Sequence, residues 1–264
     1  MRMRLKFDLV AFILLFLILF SSIPLVSSEN SNLLILTETQ IPINVSWKNW
    51  PAIYEDRIVW MDHRNDNDDV YMYNLSTHTE TQITNNISAG LLWDSGVSIY
   101  DDKIVWQDLR NRNYNIYLYN LSTHKETQIT TSGFARFPDI YKDIIVWEDY
   151  HYGGSDIYIS DIYMYDLSTS WETRITTSGA ASESDVYGNK IVWAENNSGN
   201  YDIYVYDLST NKKIQVTTNK SDQLWPNIIE DKIVWEDHRN NSSDVYMYDL
   251  STSTETQITN DDLN

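Results

Sequence analysis

The run Ile233-Val234-Trp235-Glu236-Asp237 opens the stretch that decides the fold. The stretch continues with Asp244-Val245-Tyr246-Met247-Tyr248-Asp249-Leu250-Ser251-Thr252 and closes with Thr256-Gln257-Ile258-Thr259. The same order occurs four more times, and its Ile-Val-Trp run ends at Trp60, Trp106, Trp147 and Trp193. The five tryptophans follow one another at spacings of 46, 41, 46 and 42 residues. A period of this length, made of short β-type runs, is typical of propeller blades.

Each unit predicts four strands, which we call A to D from the inside outward. Strand A starts with a Pro-x-Ile-Tyr-like run such as Pro51–Tyr54, and strand B is the Ile-Val-Trp run. Strand C alternates as in Asp244–Asp249, and strand D is Glu-Thr-Gln-Ile-Thr. The predicted fold is therefore all-β, a β-propeller of five four-stranded blades. The large indoles of strand B are predicted to pack between blades as the structural core; they are Trp60, Trp106, Trp147, Trp193 and Trp235.

The number of D strands leaves ring closure open. Thr37–Ile41 is a sixth copy of strand D, whereas strands A to C occur five times. The N-terminal copy is either surplus or closes the ring against the last unit, where Thr254–Thr259 competes for the same edge with the shorter loop. A six-bladed or incompletely closed ring that uses the extra strand is the alternative. Surplus residues in Asn85–Ser95 and Tyr150–Ser160 are predicted to be loops.

The N-terminus predicts export. Three basic residues within the first six are followed by the apolar run Leu9–Phe20 and by small residues up to Ser28. This pattern is typical of a secretory signal peptide, with an uncleaved anchor as the alternative. We therefore predict a signal peptide at residues 1–28, a propeller domain at residues 29–264 and an extracellular or cell-surface location.

Composition excludes several classes of partner. The formal net charge is −19 and there is no cysteine, so no disulfide framework holds the chain. A field of this sign repels phosphates, so we expect no nucleic-acid partner and no membrane contact beyond the signal segment. Eight Asn-x-Ser sequons predict a glycoprotein; they begin at Asn44, Asn74, Asn86, Asn120, Asn196, Asn219, Asn240 and Asn241.

The repeat resembles a known group. Ile-Val-Trp-x-Asp-x-Arg-Asn, then Asp-Ile-Tyr-x-Tyr-Asp-Leu-Ser-Thr and Glu-Thr-Gln-Ile-Thr, look like the propeller repeats of archaeal, methanogen-type cell-surface proteins, which are themselves similar to TolB-type units. The likeness spans roughly residues 37 to 260. It implies an envelope-associated propeller without implying one activity. Ala194–Asn197 departs most from the pattern, because it replaces the Asp-x-Arg run.

Candidate ligand-binding residues lie near the start of strand A. Aromatic rings stack on sugars and carboxylates bind hydroxyl groups, so we predict a surface that recognises glycans or protein partners. The candidates are Trp47, Trp50, Trp93, Phe137, Trp225, Asp139 and Asp185. The alternative for the aromatic residues is that they fill the space above strand A.

An enzyme is the second class of function. Some propellers are glycosidases that use carboxylates in the central depression, and Asp139 and Asp185 are placed to point there. The equivalent residues of the other units are not acidic, so we expect a binding, adhesion or scaffold module without catalytic residues and without a cofactor. Asp66, Asp68 and Asp69 have the oxygen ligands that Ca²⁺ prefers but lack an EF-hand pattern. For the Asp-x-Arg runs we favour a structural role, with the arginine paired to the aspartate.

Overall fold

The computed structural model describes residues 41, 46–64, 67–85, 96–152, 158–197, 199–239 and 243–260. These residues form five four-stranded antiparallel sheets, each with its strands in sequence order from one edge to the other. The prediction of five four-stranded blades is confirmed. The described part of the chain contains no helix with the length and apolarity that a membrane crossing requires.

Twenty strands make the five blades, four in each. Blade 1 contains β1 (Lys48–Tyr54), β2 (Arg57–Asp62), β3 (Asp69–Asn74) and β4 (Thr79–Gln82); blade 2 contains β5 (Val97–Tyr100), β6 (Lys103–Asp108), β7 (Asn115–Asn120) and β8 (Lys125–Gln128). Blade 3 contains β9 (Ala135–Tyr141), β10 (Ile144–Tyr152), β11 (Tyr158–Asp166) and β12 (Trp171–Arg174). Blade 4 contains β13 (Ala181–Tyr187), β14 (Lys190–Asn196), β15 (Tyr201–Asp207) and β16 (Lys212–Gln215), and blade 5 contains β17 (Gln223–Ile229), β18 (Lys232–Asp237), β19 (Asp244–Asp249) and β20 (Thr254–Gln257). A 3₁₀ turn, Arg110–Arg112, precedes β7.

The core lies between consecutive blades. Trp106, Trp147, Trp193 and Trp235 are at most 2 % exposed, and each packs into an apolar cluster shared with the preceding blade. Each of these rings also stacks on the tyrosine opposite it in strand C, as Trp193 does on Tyr204 at 6.0 Å. Burying rings of this size contributes most of the energy that joins neighbouring blades.

A repeated polar contact fixes strand C to the end of strand D. In blade 3 the Thr176 hydroxyl accepts the backbone N–H of Ile162 at 2.9 Å and donates to Asp161 at 2.7 Å. The same threonine contact recurs in the other four blades. Because the threonine follows isoleucine or valine just after strand D of every unit, this contact accounts for the Ile-Thr or Val-Thr ending of the repeat.

The insertion in unit 3 extends the blade. Ile144–Tyr152 and Tyr158–Asp166 pair from Ile144↔Asp166 to Tyr152↔Tyr158, so the expectation of a loop over Tyr150–Ser160 is wrong for most of that range. The near-duplicate Ile157-Tyr158 and Ile162-Tyr163 runs explain the extension, since both carry β-type residues. The second predicted insertion, Asn85–Ser95, lies outside the described residues except for Asn85.

Candidate functional site

One face of the propeller carries both the B–C and the D–A connections, because strand B ends where strand A begins. In blade 1, Lys48 at the start of β1 pairs with Asp62 at the end of β2. We call this side the loop face. Insertions and irregular backbone are tolerated on such a surface, which makes it the first place to look for a binding site.

Four inner strands are bulged just below the loop face. Their register with strand B shifts in β1, β9, β13 and β17. At each shift one residue that is not glycine has left-handed backbone: Trp50 (φ 56°), Phe137 (φ 54°), Glu183 (φ 62°) and Trp225 (φ 52°). This conformation costs about 1–3 kcal/mol per residue, so the surrounding contacts must hold it in place.

The neighbouring blade supplies those contacts. The backbone N–H of Phe137 donates to Oε1 of Gln107 at 2.8 Å, and that of Glu183 donates to Oε1 of Glu148 at 2.6 Å. Gln107 and Glu148 both directly follow the strand B tryptophan and are buried. In blades 3 and 4 the bulged residue is therefore hydrogen-bonded to strand B of the preceding blade.

Blade 4 uses a different residue to accept the backbone N–H of the bulged residue in blade 5. Ala194 follows Trp193 and has no acceptor on its side chain. Glu183 replaces it, because its Oε2 accepts the backbone N–H of Trp225 at 2.6 Å. Sequence reasoning missed Gln107, Glu148 and Glu183; the available signal was a Gln or Glu directly after the tryptophan, and a Glu in unit 4 at the bulge position that is aromatic in units 1, 3 and 5.

Asp139 and Asp185 bond to the inner strands beside them. Asp139 accepts the Ser98 hydroxyl at 2.6 Å and the backbone N–H of Val186 at 3.3 Å. Asp185 accepts the backbone N–H of Ile228 at 2.8 Å. Both carboxylates are buried, at 5 % and 7 % exposure. They join blades 2 to 5 along the inner strands.

The described aromatic candidates lie near the start of strand A, and Trp50 also packs against the core cluster between blades 1 and 2. Trp47 is 64 % exposed and Trp225 is 36 % exposed, while Trp50 and Phe137 are partly exposed. Phe134 in the connection before β9 is 39 % exposed and lies at the same end of blade 3. Trp93 lies outside the described residues. The face therefore carries an exposed or half-exposed aromatic side chain in blades 1, 3 and 5.

Acidic residues at the end of strand B are paired within their own blades. Asp62 accepts the indole N–H of Trp60 at 3.0 Å and the guanidinium of Arg64 at 2.6 Å. Burial raises the pKa of Asp62, but the hydrogen bonds from Arg64, Ser46 and Trp60 outweigh burial and lower the pKa to about 2. Asp237 has the same partners in Trp235 and Arg239.

Blade 4 keeps this arrangement although its sequence departs from the pattern. Glu195 accepts the indole N–H of Trp193 at 2.7 Å and pairs with Lys213 at 2.5 Å. The cation comes from strand D instead of the B–C connection, and Lys213 lies over the Tyr204 ring at 4.2 Å, as Arg64 lies over Tyr71 at 3.7 Å. The same cation position is thus filled from the B–C connection in blade 1 and from strand D in blade 4.

The calcium candidates divide into two roles. Asp69 accepts hydrogen bonds from Asn67, Gln82 and Thr84. Asp68 is 4 % exposed, contacts His63 Nδ1 through Oδ1 at 3.0 Å, and has no hydrogen-bond partner for Oδ2 among the described residues. Burial raises the pKa of Asp68. Asp66 lies outside the described residues, and within them no group of three acidic or histidine side chains is arranged to hold a metal ion.

The asparagines of four sequons fall within the described residues. Asn74, Asn120 and Asn196 are the last residues of β3, β7 and β14, Asn219 lies between β16 and β17, and all four are partly exposed. Asn44, Asn86, Asn240 and Asn241 lie outside the described residues. The Asn120 side-chain nitrogen donates to Asp102 at 3.0 Å, so a glycan there would replace that hydrogen bond.

Comparison with known proteins places the fold. No protein-family profile matches the chain, and no curated protein matches its sequence. Among solved structures, putative TolB from Agrobacterium tumefaciens is similar with a TM-score of 0.62 and 13% identity, over 82% of this chain and 82% of that one. TolB from Acinetobacter baumannii is similar with a TM-score of 0.61 and 19% identity, over 82% of this chain but only 55% of that one. The fold is a TolB-like β-propeller.

Enzymes occur among the neighbours of this propeller as well. An oligogalacturonate lyase in complex with manganese is similar with a TM-score of 0.57 and 13% identity, over 77% of this chain and 62% of that one. At such identities the likeness shows the fold alone. The similarity to the two TolB structures supports the TolB-like part of the resemblance seen in the repeats. The archaeal cell-surface part of that resemblance stays a prediction.

Proposed function

We propose that this propeller is an exported, non-catalytic binding or scaffold module of the cell envelope, whose loop face recognises a glycan or a protein partner. The observation that carries the proposal is the set of aromatic side chains that the bulged inner strands hold at that face. Phe137 and Trp225 occupy strained backbone whose N–H groups bond to the preceding blade, so their rings are held on a rigid support. Rigid aromatic side chains give large contact area at a low entropic cost.

The acidic residues favour binding over catalysis. A glycosidase needs two carboxyl groups that reach the substrate, about 5–10 Å apart. Asp139 and Asp185, the two candidates, accept hydrogen bonds from the backbone of neighbouring inner strands. The carboxylates at the end of strand B pair with arginine or lysine in blades 1, 2, 4 and 5. These groups hold the blades in place, and no observation on the described residues favours the enzyme over the binding module.

Partner chemistry follows from charge and surface. The net charge of −19 disfavours nucleic acid, and the exposed rings favour sugar rings or apolar protein side chains. Export rests on the signal-like N-terminus, and surface glycosylation on the sequons. The proposal requires no cofactor.

A binding experiment on two tryptophans tests the proposal. Trp225→Ala removes an exposed ring from the loop face, whereas Trp171→Ala removes a ring that is 70 % exposed on the outer strand of blade 3. On a glycan array and in cross-linking to envelope proteins, we expect Trp225→Ala to lose the signal and Trp171→Ala to keep it. Equal loss in both variants would refute the loop face as the site.

The same preparation tests the enzyme alternative. Incubation with polysaccharides should release no reducing ends. Turnover that disappears in both Asp139→Asn and Asp185→Asn, while the variants keep the wild-type melting temperature, would replace the binding module by a carbohydrate-active enzyme.

A further inference from the structure

Four of the five seams between blades are built alike. At each of them one apolar residue of the inner strand packs into the preceding blade beside the strand B tryptophan of its own blade. Those residues are Ile99, Ile140, Val186 and Ile228, with exposures of 6 %, 4 %, 4 % and 4 %. The inner strands β1, β5, β9, β13 and β17 lie against one another in that order.

The seam between blade 5 and blade 1 differs. Ile53 is the equivalent residue in β1, and it is 42 % exposed. Within the described residues, β17 and β1 lack the extended contact that joins the other inner strands. Within the described residues, the apolar surface that would bury Ile53 is therefore not in place, and blades 5 and 1 do not close against each other along their inner strands.

The opposite wall of this seam is uncovered as well. Val59, Val105, Val146 and Val192, which precede the strand B tryptophan in blades 1 to 4, are completely buried. Val234 in blade 5 is partly exposed, and so is Val245 in the neighbouring strand. Blade 5 thus presents the apolar surface that its counterparts bury against the next blade.

The outer part of the seam holds a residue from the N-terminus. Ile41 packs against Trp60, Tyr71 and Tyr73 of blade 1. At the other seams this place is taken by the residue that follows strand D of the preceding blade: Ile83, Ile129, Ile175 and Val216. Thr37–Gln40, directly before Ile41, has the Thr-Glu-Thr-Gln sequence of β4 and β20. Blade 5 meanwhile keeps its own outer strand, because β20 pairs with β19.

We propose that this seam is a docking site for one additional A–B–C unit of the same repeat type, supplied by a partner polypeptide. The incoming indole packs against Val234 and Val245, and the incoming strand B valine covers Ile53 and Trp60. The four internal seams define the chemistry of the occupant, since each packs the same two apolar surfaces against a neighbouring blade.

Glu236 supplies a polar contact for the incoming unit. Its equivalents Gln107 and Glu148 accept the bulge N–H of the next inner strand. Glu236 instead contacts Ser243 and His238 of its own blade and is partly exposed. In the assembled ring it accepts the bulge N–H of the docked strand A.

A peptide of residues 222–252 tests the site, because it contains the A, B and C strands of blade 5. We expect it to bind the full chain with a stoichiometry of one and to protect the Ile53 amide from hydrogen exchange. The same peptide carrying Trp235→Ser should bind more than about 100-fold more weakly, since a buried indole is lost. Ile53→Asp in the full chain should weaken the native peptide to a similar extent.

A tethered version removes the concentration limit of the peptide experiment. Residues 219–252 appended after Asn264 give the unit an effective concentration in the millimolar range. The appended chain should melt at a higher temperature than the same chain with Trp235→Ser in the appended copy. Equal melting temperatures, or a peptide that binds regardless of Trp235, overturn the proposal. Protection of Ile53 through concentration-dependent self-association of the unmodified chain would also overturn it, because the occupant would then be a second copy.

Discussion

The exchange of acceptors between Glu183 and Ala194 gives a quantitative test of how the blades are joined. Glu183→Ala removes the acceptor for the backbone N–H of Trp225, a contact of 2.6 Å at a residue that is 5 % exposed. Removing a buried acceptor costs about 1–3 kcal/mol of unfolding free energy. With about 2 kcal/mol as the central value, the melting temperature should fall by about 4–8 °C for a domain of this size.

The second substitution predicts a rescue. Ala194→Gln places an acceptor directly after Trp193, where blades 2 and 3 have Gln107 and Glu148. In the wild-type chain this change overfills a fully buried position and should cost about 1–3 kcal/mol. In the Glu183→Ala background it should restore stability, with a coupling free energy of at least about 1 kcal/mol.

Urea denaturation followed by circular dichroism measures all four members of the cycle. Glu183→Gln is the matched control, since it keeps an acceptor at the same position and should cost less than about 1 kcal/mol. Additive losses in the double variant, or a Glu183→Ala variant as stable as wild type, would refute the assignment of Glu183 as the substitute acceptor.

Three further predictions concern stability, pH and metal ions. Trp193→Ala should cost about 3–5 kcal/mol in a urea titration, whereas Trp171→Ala on the exposed edge should stay within about 0.5 kcal/mol; similar losses would contradict the packing of the seams. Because the folded-state pKa of Asp62 is lowered from 3.8 to about 2, the stability that its carboxylate contributes is complete above about pH 4 and disappears as the pH falls towards 2. The urea midpoint of Asp62→Asn should therefore decline less than that of wild type over this range, and parallel declines would show that Asp62 is unperturbed. Calcium at millimolar concentration should leave the melting temperature unchanged relative to EDTA, and a rise that is lost in Asp68→Asn would establish a site at Asp68.

The order and bounds of most strands could be predicted from the sequence because the same repeat occurs five times. A period of two in strand C and apolar runs in strand B follow directly from which faces are buried. The Asp-x-Arg runs also predicted ion pairs such as Arg239–Asp237. A carboxylate at the end of a strand and a guanidinium two residues later in the connection are close enough to pair.

The contacts between blades were harder to predict. Lys213 replaces the missing arginine of blade 4 from strand D, and sequence separation hides that neighbour relation. The bulge at Phe137 and its acceptor Gln107 come from different blades, so the Gln that follows Trp106 does not by itself identify its partner. Asp139 accepts a backbone N–H of the neighbouring inner strand, a contact between blades that its position in unit 3 does not reveal. The packing of Ile41 against blade 1 also has no local pattern that predicts it.

The most direct test is amide hydrogen exchange measured along the five inner strands. It tests the claim that the seams between blades 1 to 5 are closed alike and that the seam between blades 5 and 1 is open. The amides of Val186 and Ile228 donate to buried carboxylates, and we expect the segments around Ile99, Ile140, Val186 and Ile228 to be strongly protected. The segment around Ile53 should exchange faster by at least about tenfold, because its side chain and its edge face solvent. Uniform protection across all five segments in the monomeric chain would contradict the account.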